Sequence, residues 1–361
     1  MHLNLNELGW SNFFQQQLNP EDLEFLPARV IRQDTNQYHL LSEQGKLIGV
    51  LPGKLRQEAL SKADLPTVGD WLVVSYIEGD EPDRVQIEKR LERKSKFSRK
   101  EAGEVQDEQV VASNIDTVFI VSALDRDFNL HRIERYLLLS WTSGAQPVLV
   151  LNKSDVCKNI DKKTGDLKVI AMDSPIHVMS AKDNIGLDQL RPYITTGSTC
   201  AFLGSSGVGK STIINELLGY EKFDTGEVRS VDSRGRHTTT FREMVRASGG
   251  GMIIDTPGMR EIQLWADNVS LSHSFQDINL LAASCKFTDC RHKTEPGCSI
   301  TKAISKGVLD SDRLERYFKL ERELEQFARQ QNAAARIGKT GKKQQYKRST
   351  TLPGNRSGKR D

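Results

Sequence analysis

No apolar run in this chain approaches the ~20 residues needed to cross a bilayer; the stretches VFIVSAL and PVLVL are only of strand length. The amino terminus, MHLNLNELGWSNFFQQQ, lacks a basic start followed by an apolar block and does not read as a signal peptide. Cysteine is scarce, five in 361 residues. Three of the five, Cys285, Cys290 and Cys298, crowd around a histidine, which argues for a metal in a reducing compartment rather than a disulfide framework. A cytoplasmic protein with no membrane partner is expected. Internal repeats are absent, and the length accommodates two or three domains.

The net charge of +3 conceals an uneven distribution. From Arg336 onward there are nine Lys or Arg and one acid, Asp361, so the rest of the chain is net acidic. A second basic run, EKRLERKSKFSRK (Glu88 to Lys100), sets seven cations against two acids and contains Phe97. Each is either a local patch for a polyanion such as RNA or merely a solvated segment.

Between residues 27 and 92, five short β-rich stretches, ARVIR, QYHLL, KLIGVL, DWLVVSYI and DRVQIEK, are punctuated by Gly, Pro, Asn or Asp. They predict a small closed barrel of the OB type, with an SH3-like barrel indistinguishable at this stage. Further on, IDTVFIV, PVLVLN, IHVMS, TCAFLG and GMIID are nearly continuous apolar strands. LHRIERYLLLSWTSG and KSTIINELLG, between them, look helical, so a parallel sheet covered on both faces is expected. A third region holds the Cys/His cluster and then DRLERYFKLERELEQFARQ, where Leu314, Tyr317, Phe318, Leu324 and Phe327 recur at helical spacing. Beyond Ala335 the chain is polar and without apolar periodicity, and disorder is expected.

Two motifs carry the chemistry. GSSGVGKS, between the strand TCAFL and the helix KSTIINELLG, satisfies G-x-x-x-x-G-K-[ST] with Gly204, Gly209, Lys210 and Ser211. Its main chain, from Gly204 through Ser205, Ser206, Gly207, Val208 and Gly209 to Thr212, would wrap phosphates at a helix N-terminus. Lys210 would neutralise β- and γ-phosphates, and the Ser211 hydroxyl would ligate Mg²⁺. Downstream, DTPG follows the strand GMIID, so Asp255 would hold Mg²⁺ through water and Gly258 would offer its N–H to the γ-phosphate. The polar stretch between them contains HTTT. One of Thr238, Thr239 and Thr240, with Thr239 preferred, would complete the Mg²⁺ shell once a γ-phosphate is present.

NKSD, at the end of PVLVL, is the second motif. The Asp155 carboxylate would accept the two N–H groups of guanine's Watson–Crick edge, a pair adenine lacks, which is worth up to ~10⁴-fold in discrimination. Asn152 would brace the loop, and the Lys153 stem would pack over the base. SAK (Ser180, Ala181, Lys182) ends the next strand, where a backbone N–H would meet the guanine oxygen. In ordinary GTPases the phosphate loop comes first; here the base-reading pair precedes it by some fifty residues. Joining the old termini and cutting elsewhere preserves such a site, so the nucleotide loops are those of a circularly permuted GTPase.

Cys285, Cys290, His292 and Cys298 form C-x₄-C-x-H-x₅-C, three thiolates and an imidazole that would close a tetrahedral structural zinc shell. Cys157 and Cys200 read as ordinary buried or half-buried residues.

GSSGVGKS, GRHTTT and DTPGMRE, with a barrel before them and a Cys/His finger after, resemble the RsgA (YjeQ) ribosome-biogenesis GTPases over roughly residues 27–332. The resemblance implies an OB-type β-barrel, a circularly permuted P-loop α/β GTPase domain and a C-terminal zinc-binding α-helical domain. The expected divisions are an extension (1–26), the barrel with its basic linker (27–100), the GTPase domain (101–270), the zinc and helical domain (271–335) and the basic tail (336–361). It also implies a monomer that hydrolyses GTP to GDP with Mg²⁺, is stimulated by the small ribosomal subunit, contacts its rRNA and serves its late maturation. A GTP-dependent translation or RNA-modification factor is the alternative. Met259 stands where many GTPases place a water-orienting glutamine. His237 is a solvated loop histidine on its chemistry alone, but by the resemblance it is the catalytic residue.

Overall fold

The computed structural model describes residues 4–35, 37–59, 61–100, 108–223, 243–255, 275–293, 295–322, 325 and 329, with Lys100 and Asp255 described in the main chain only. His237, Thr238, Thr239, Thr240, Gly258, Met259, Leu324, Phe327 and the basic tail lie outside the described residues. Among the described residues no helix is long and apolar enough to cross a membrane.

Five strands form the barrel: β1 (Leu26–Gln33), β2 (Tyr38–Ser42), β3 (Gly45–Val50), β4 (Trp71–Tyr76) and β5 (Arg84–Arg90). Their order is β1-β2-β3-β5-β4, and β4 returns to pair with β1. β3 runs parallel to β5, and the other neighbours are antiparallel. That closed Greek-key order is the OB type and settles the choice left open by the sequence. Alternation in β2 turns Tyr38 and Leu40 inward onto Val30, Leu47, Leu72, Val85 and Ile87. Each fully buried aliphatic side chain contributes roughly 1.5–3 kcal/mol.

Residues before the barrel pack against it. Leu8 and Phe14 are buried beside Trp71, and Trp10 meets that indole edge-on at 4.8 Å. The Arg29 guanidinium lies 1 % exposed at this junction. It donates to Leu8 O, Gly69 O and Asn114 O, joining extension, barrel and the turn into the next domain. Burial pushes its pKa down to about 10, which leaves it charged at neutral pH.

The basic run is not a free polycation. Lys89 pairs with Asp22 at 2.9 Å, Arg93 with Asp70 at 2.7 Å and Lys96 with Glu108 at 2.9 Å. Arg90 donates to Asp64 O and Leu91 O, and Lys94 sits over the Phe14 ring. Phe97 is fully buried. The last five residues of the run are a strand, β6 (Lys96–Lys100), paired with β7 (Glu108–Ser113).

The second domain holds β8 (Thr117–Ala123), β9 (Gln146–Asn152), β10 (Ile176–Val178), β11 (Thr199–Leu203), β12 (Glu243–Arg246) and β13 (Met252–Asp255), in the order β10-β9-β8-β11-β13-β12. All the expected strands are present and parallel. The purely parallel expectation fails at the edge, where β12 is antiparallel to β13. This strand was hidden in the polar stretch because only Met244 and Val245 of its four residues are buried. Beyond it, Arg32 of β1 pairs with Glu243, so sheet and barrel are hydrogen-bonded neighbours.

The helix Leu130–Ser143 is started by the Asn129 side chain, which accepts from the Arg132 N–H, and ended by Gly144 at φ 88°. Its buried stripe is Ile133, Leu137 and Ser140. The C-terminal region contributes the helices Gln276–Ala283 and Ser299–Ser305 and a helix over 311–322. Leu314 and Leu320 are buried, and Tyr317 packs edge-on to Phe275 at 5.4 Å.

Asp70 is fully buried, accepting from Arg93 twice, from Ser113 Oγ and from the Thr67 N–H. Asp70→Ala strands a buried guanidinium and should cost about 3–5 kcal/mol in denaturant unfolding. Arg84→Ala, which breaks the half-exposed pair with Asp80, should cost less than about 1 kcal/mol.

Candidate functional site

An open parallel sheet binds ligand at the carboxyl ends of its strands, where the strand order reverses. Here β8 leads outward to β9 and β10, and β11 leads the other way to β13. The reversal lies between β8 and β11, which pair directly from Cys200↔Thr117 to Leu203↔Ile120. The loops following these two strands and β9 open at the same end.

The phosphate-loop candidate follows β11. Gly204, Gly207 and Gly209 all have positive φ, at 146°, 73° and 100°. Two of them are glycine for a second reason: a Cβ on Gly204 would strike Val121 O, and one on Gly209 would strike the Asn152 carboxamide. Lys210 Nζ folds back to Gly204 O at 2.7 Å and Ser205 O at 2.5 Å, so the ammonium sits within the loop's own curl. Val208 is buried, Ser205 and Ser211 are half-exposed, and Ser206 and Gly207 face solvent. Ser211 and Thr212 lie in the first turn of the helix Lys210–Leu218.

Asn152, only 3 % exposed, joins this loop to the base-reading pair. Its Nδ2 donates to Val208 O at 2.8 Å, and its Oδ1 accepts from the Ala181 N–H at 2.9 Å. Lys153 stands in the left-handed region at φ 63° and pairs with Asp125 at 2.9 Å. Burial pushes the Asp125 carboxyl up, but the Lys153 ammonium and the Asp127 N–H outweigh it and hold it below the usual carboxylate range. Ser180 Oγ lies 2.8 Å from Asp155 Oδ1 and 2.9 Å from Asp183 Oδ2, one hydroxyl proton between two carboxylates. Asp155 and Lys182 are exposed. The geometry thus brings NKSD, SAK and GSSGVGKS to one crevice.

The leading end of the polar stretch meets the helix after the phosphate loop and the strand β12. Asn215 Oδ1 accepts from the N–H groups of Lys222 and Phe223, and Lys222 pairs across to Glu243 at 2.9 Å. Asp255 closes β13, paired with Glu243.

Sequence reasoning missed Asp125 and Arg132. Arg132 donates to Ser205 Oγ and to Asp127 O and Oδ1. Neither belongs to a motif, and only the strand order places them at the crevice.

Comparison with known proteins identifies the family. A family model described as RsgA GTPase matches residues 90–265, and one described as 50S ribosome-binding GTPase matches residues 199–334. The small ribosomal subunit biogenesis GTPase RsgA of Opitutus terrae is 43 % identical over 335 residues, covering 91 % of each chain. The chain belongs to the RsgA GTPase family. These are GTP-hydrolysing enzymes. The RsgA of Syntrophotalea carbinolica, 38 % identical, aligns over 99 % of this chain and 98 % of its own. Among solved structures, YjeQ from Thermotoga maritima superposes with a TM-score of 0.62 at 26 % identity, covering 83 % of this chain and 98 % of that one. YloQ, a circularly permuted GTPase, shares the fold with a TM-score of 0.59 at 21 % identity, covering 86 % of this chain and 98 % of its own.

The Cys/His group of this RsgA-family chain also closes up. Cys285 Sγ and Cys298 Sγ are 3.9 Å apart, and each lies 3.6 Å from His292 Nδ1. All four ligand atoms, Cys290 included, fall within 4.8 Å of one another. A tetrahedron with Zn–S near 2.3 Å and Zn–N near 2.05 Å requires S···S of about 3.8 Å and S···N of about 3.5 Å. The donor set therefore fits one zinc ion with no open position. The Ser299 N–H points at Cys285 Sγ and the Thr301 N–H at Cys298 Sγ, bonds that favour thiolates. Cys157 is half-buried and Cys200 buried, away from this group, as expected.

Purified protein should carry about one zinc per chain. Cys285→Ser should release it and loosen the region around residues 285–305 with the barrel intact, read by metal analysis and limited proteolysis.

Proposed function

We propose that this chain is a GTP-driven switch in late maturation of the small ribosomal subunit, binding the subunit through its rRNA and stimulated by it. The observation that carries the reading is Asn152, whose carboxamide spans the phosphate loop and the base-reading loop across one crevice. A ligand filling that crevice has phosphates at one end and a purine edge at the other. The small-subunit assignment follows the printed names of relatives that align over more than nine-tenths of this chain. The model named for the 50S subunit matches only residues 199–334 and omits the barrel and the base-reading loops.

In this reading Asp155 accepts guanine's two N–H groups, and Ser180 orients it. Lys210 would leave the loop carbonyls for the β- and γ-phosphates, main-chain N–H groups from Gly204 to Thr212 would wrap them, and Ser211 and Thr239 would hold Mg²⁺. Asp255 would help hold the ion through water, and Gly258 would offer its N–H to the γ-phosphate. Mg²⁺ supplies charge neutralisation between the phosphates. His237 orients the attacking water in place of the glutamine that Met259 excludes, and intrinsic turnover is slow. Zinc in the Cys₃His group is structural.

Steady-state phosphate release from GTP, with ATP as control, should be slow and should rise on adding purified small subunits. Rates unchanged by small subunits but raised by large ones would reverse the assignment. Asp155→Asn should weaken GTP by on the order of 10²-fold or more and favour xanthosine triphosphate, whose C2 carbonyl accepts from the new amide. His237→Ala should leave GTP binding intact and lower stimulated turnover on the order of 10²-fold.

A further inference from the structure

The loop after β8 opens at the strand-order reversal, directly beside the phosphate loop. Within ten residues it makes three separate attachments. Asp125 holds Lys153 of the base-reading loop at 2.9 Å. Arg132 donates to Ser205 Oγ of the phosphate loop and is itself steadied by Asp127 O at 2.7 Å and Oδ1 at 2.8 Å. Two residues on, Glu134 is buried at 5 % exposure and meets Arg316 at 2.7 Å and Arg313 at 3.2 Å, both on the C-terminal helix.

That last attachment leads to the metal group. Asp277 grips Arg313 through both oxygens, at 2.6 and 2.8 Å, and the guanidinium lies 4.8 Å from the centre of the Phe275 ring. Phe275 and Asp277 begin the helix Gln276–Ala283, which runs into Cys285. Residues i and i+2 on a helix face different ways, so Arg132 and Glu134 do not act through each other's side chains. They are joined by the first turn of the helix Leu130–Ser143, whose backbone Asn129 fixes by accepting from the Arg132 N–H at 3.0 Å.

We propose that this first turn couples the seating of the Cys/His-bearing region to the grip of the phosphate loop on nucleotide, with Arg132 as the positioning residue and Glu134, clasped by Arg313 and Arg316, as the anchor. The inference rests on the GTP-binding reading above and adds a route to it. The route is separate from the chain connection that runs from β13 into the C-terminal region. A lever of this kind works in both directions, because a coupling free energy between two sites is reciprocal. Nucleotide in the crevice tightens the C-terminal region, and a partner that displaces that region loosens the nucleotide.

The test is release of fluorescent N-methylanthraniloyl-GDP from full-length, zinc-loaded protein, followed by stopped flow. Arg132→Ala should speed release about tenfold, with Arg132→Lys recovering part of the loss. Glu134→Gln should speed it several-fold, and the double variant should be no faster than Arg132→Ala alone. GDP should slow amide hydrogen exchange over residues 275–322 in the wild type, and Arg132→Ala should abolish that slowing, an effect that a purely structural role for Arg132 would not produce. If Glu134→Gln sheds zinc, Asp277→Asn, which keeps the shape of the clasp, takes its place. The proposal is overturned by unchanged release in the anchor variants, by single effects that multiply in the double variant, or by GDP protection surviving Arg132→Ala. Wild-type protein that binds no guanine nucleotide would instead remove the GTP reading itself.

Discussion

A single buried carboxamide holds the crevice together. Asn152 uses its amide on the carbonyl of Val208 and its oxygen on the amide of Ala181, so three loops from three strands share one side chain. Both ends must be satisfied because the group is out of water, and an unpaired buried amide costs about 1–3 kcal/mol. The demand extends to Gly209, where any side chain would occupy the space of that carboxamide. The glycine of one motif and the asparagine of another are therefore one constraint, which sets the separation of two sequence-distant loops.

Three junctions among the described residues repeat one physical device. Arg29 seals the amino-terminal extension and barrel against the turn into the sheet, through three carbonyls. Arg93, with Asp70 and Ser113, seals the barrel against the β6–β7 hairpin. Arg313, with Glu134 and Asp277, seals the sheet's helix against the C-terminal region. Burial pushes the Glu134 carboxyl up to about 7 even with two guanidinium groups drawing it down, a measure of how strongly the site is desolvated. Buried ions of this kind add little net stability relative to an apolar contact, but a misaligned one is expensive. Their contribution is orientation, because each guanidinium has several partners fixed in direction.

Most of the site was legible because phosphate and guanine chemistry demand particular residues at fixed local spacings. GSSGVGKS, NKSD, SAK and the Cys₃His group each stand out in a short stretch of the chain. The five barrel strands and the parallel strands were legible for a related reason, since each has its own apolar pattern. What escaped depends on contacts between distant segments. β12 has two buried residues and too little pattern to be seen, and it is a strand because β13 and β1 pair with it. The ion pairs of Lys89, Arg93 and Lys96 in the basic run could not be read locally, because their partners Asp22, Asp70 and Glu108 lie elsewhere in the chain. Trp10 and Phe14 belong to no repeat or motif, and Trp71, their partner, is some sixty residues away. Arg132 and Asp125 could have been suspected only from the strand order.

The permuted order has a mechanical consequence that the usual order would not have. The chain enters the nucleotide domain from the barrel through β7, whose end turns directly into β8, and Arg29 reaches that turn at Asn114. It leaves the domain beyond β13, yet the C-terminal region packs back against the helix that follows β8. Both flanking domains thus bear on the same strand and its helix, one at each end, although they attach to the sheet at different points of the chain. β8 is also the strand whose carboxyl end borders the phosphate loop. Strain at either flank reaches β8 or its helix through packed contacts, because a close-packed interior transmits strain instead of absorbing it. Cutting the fold before β8 places the two domains where a macromolecular partner that grips both would act on the nucleotide between them.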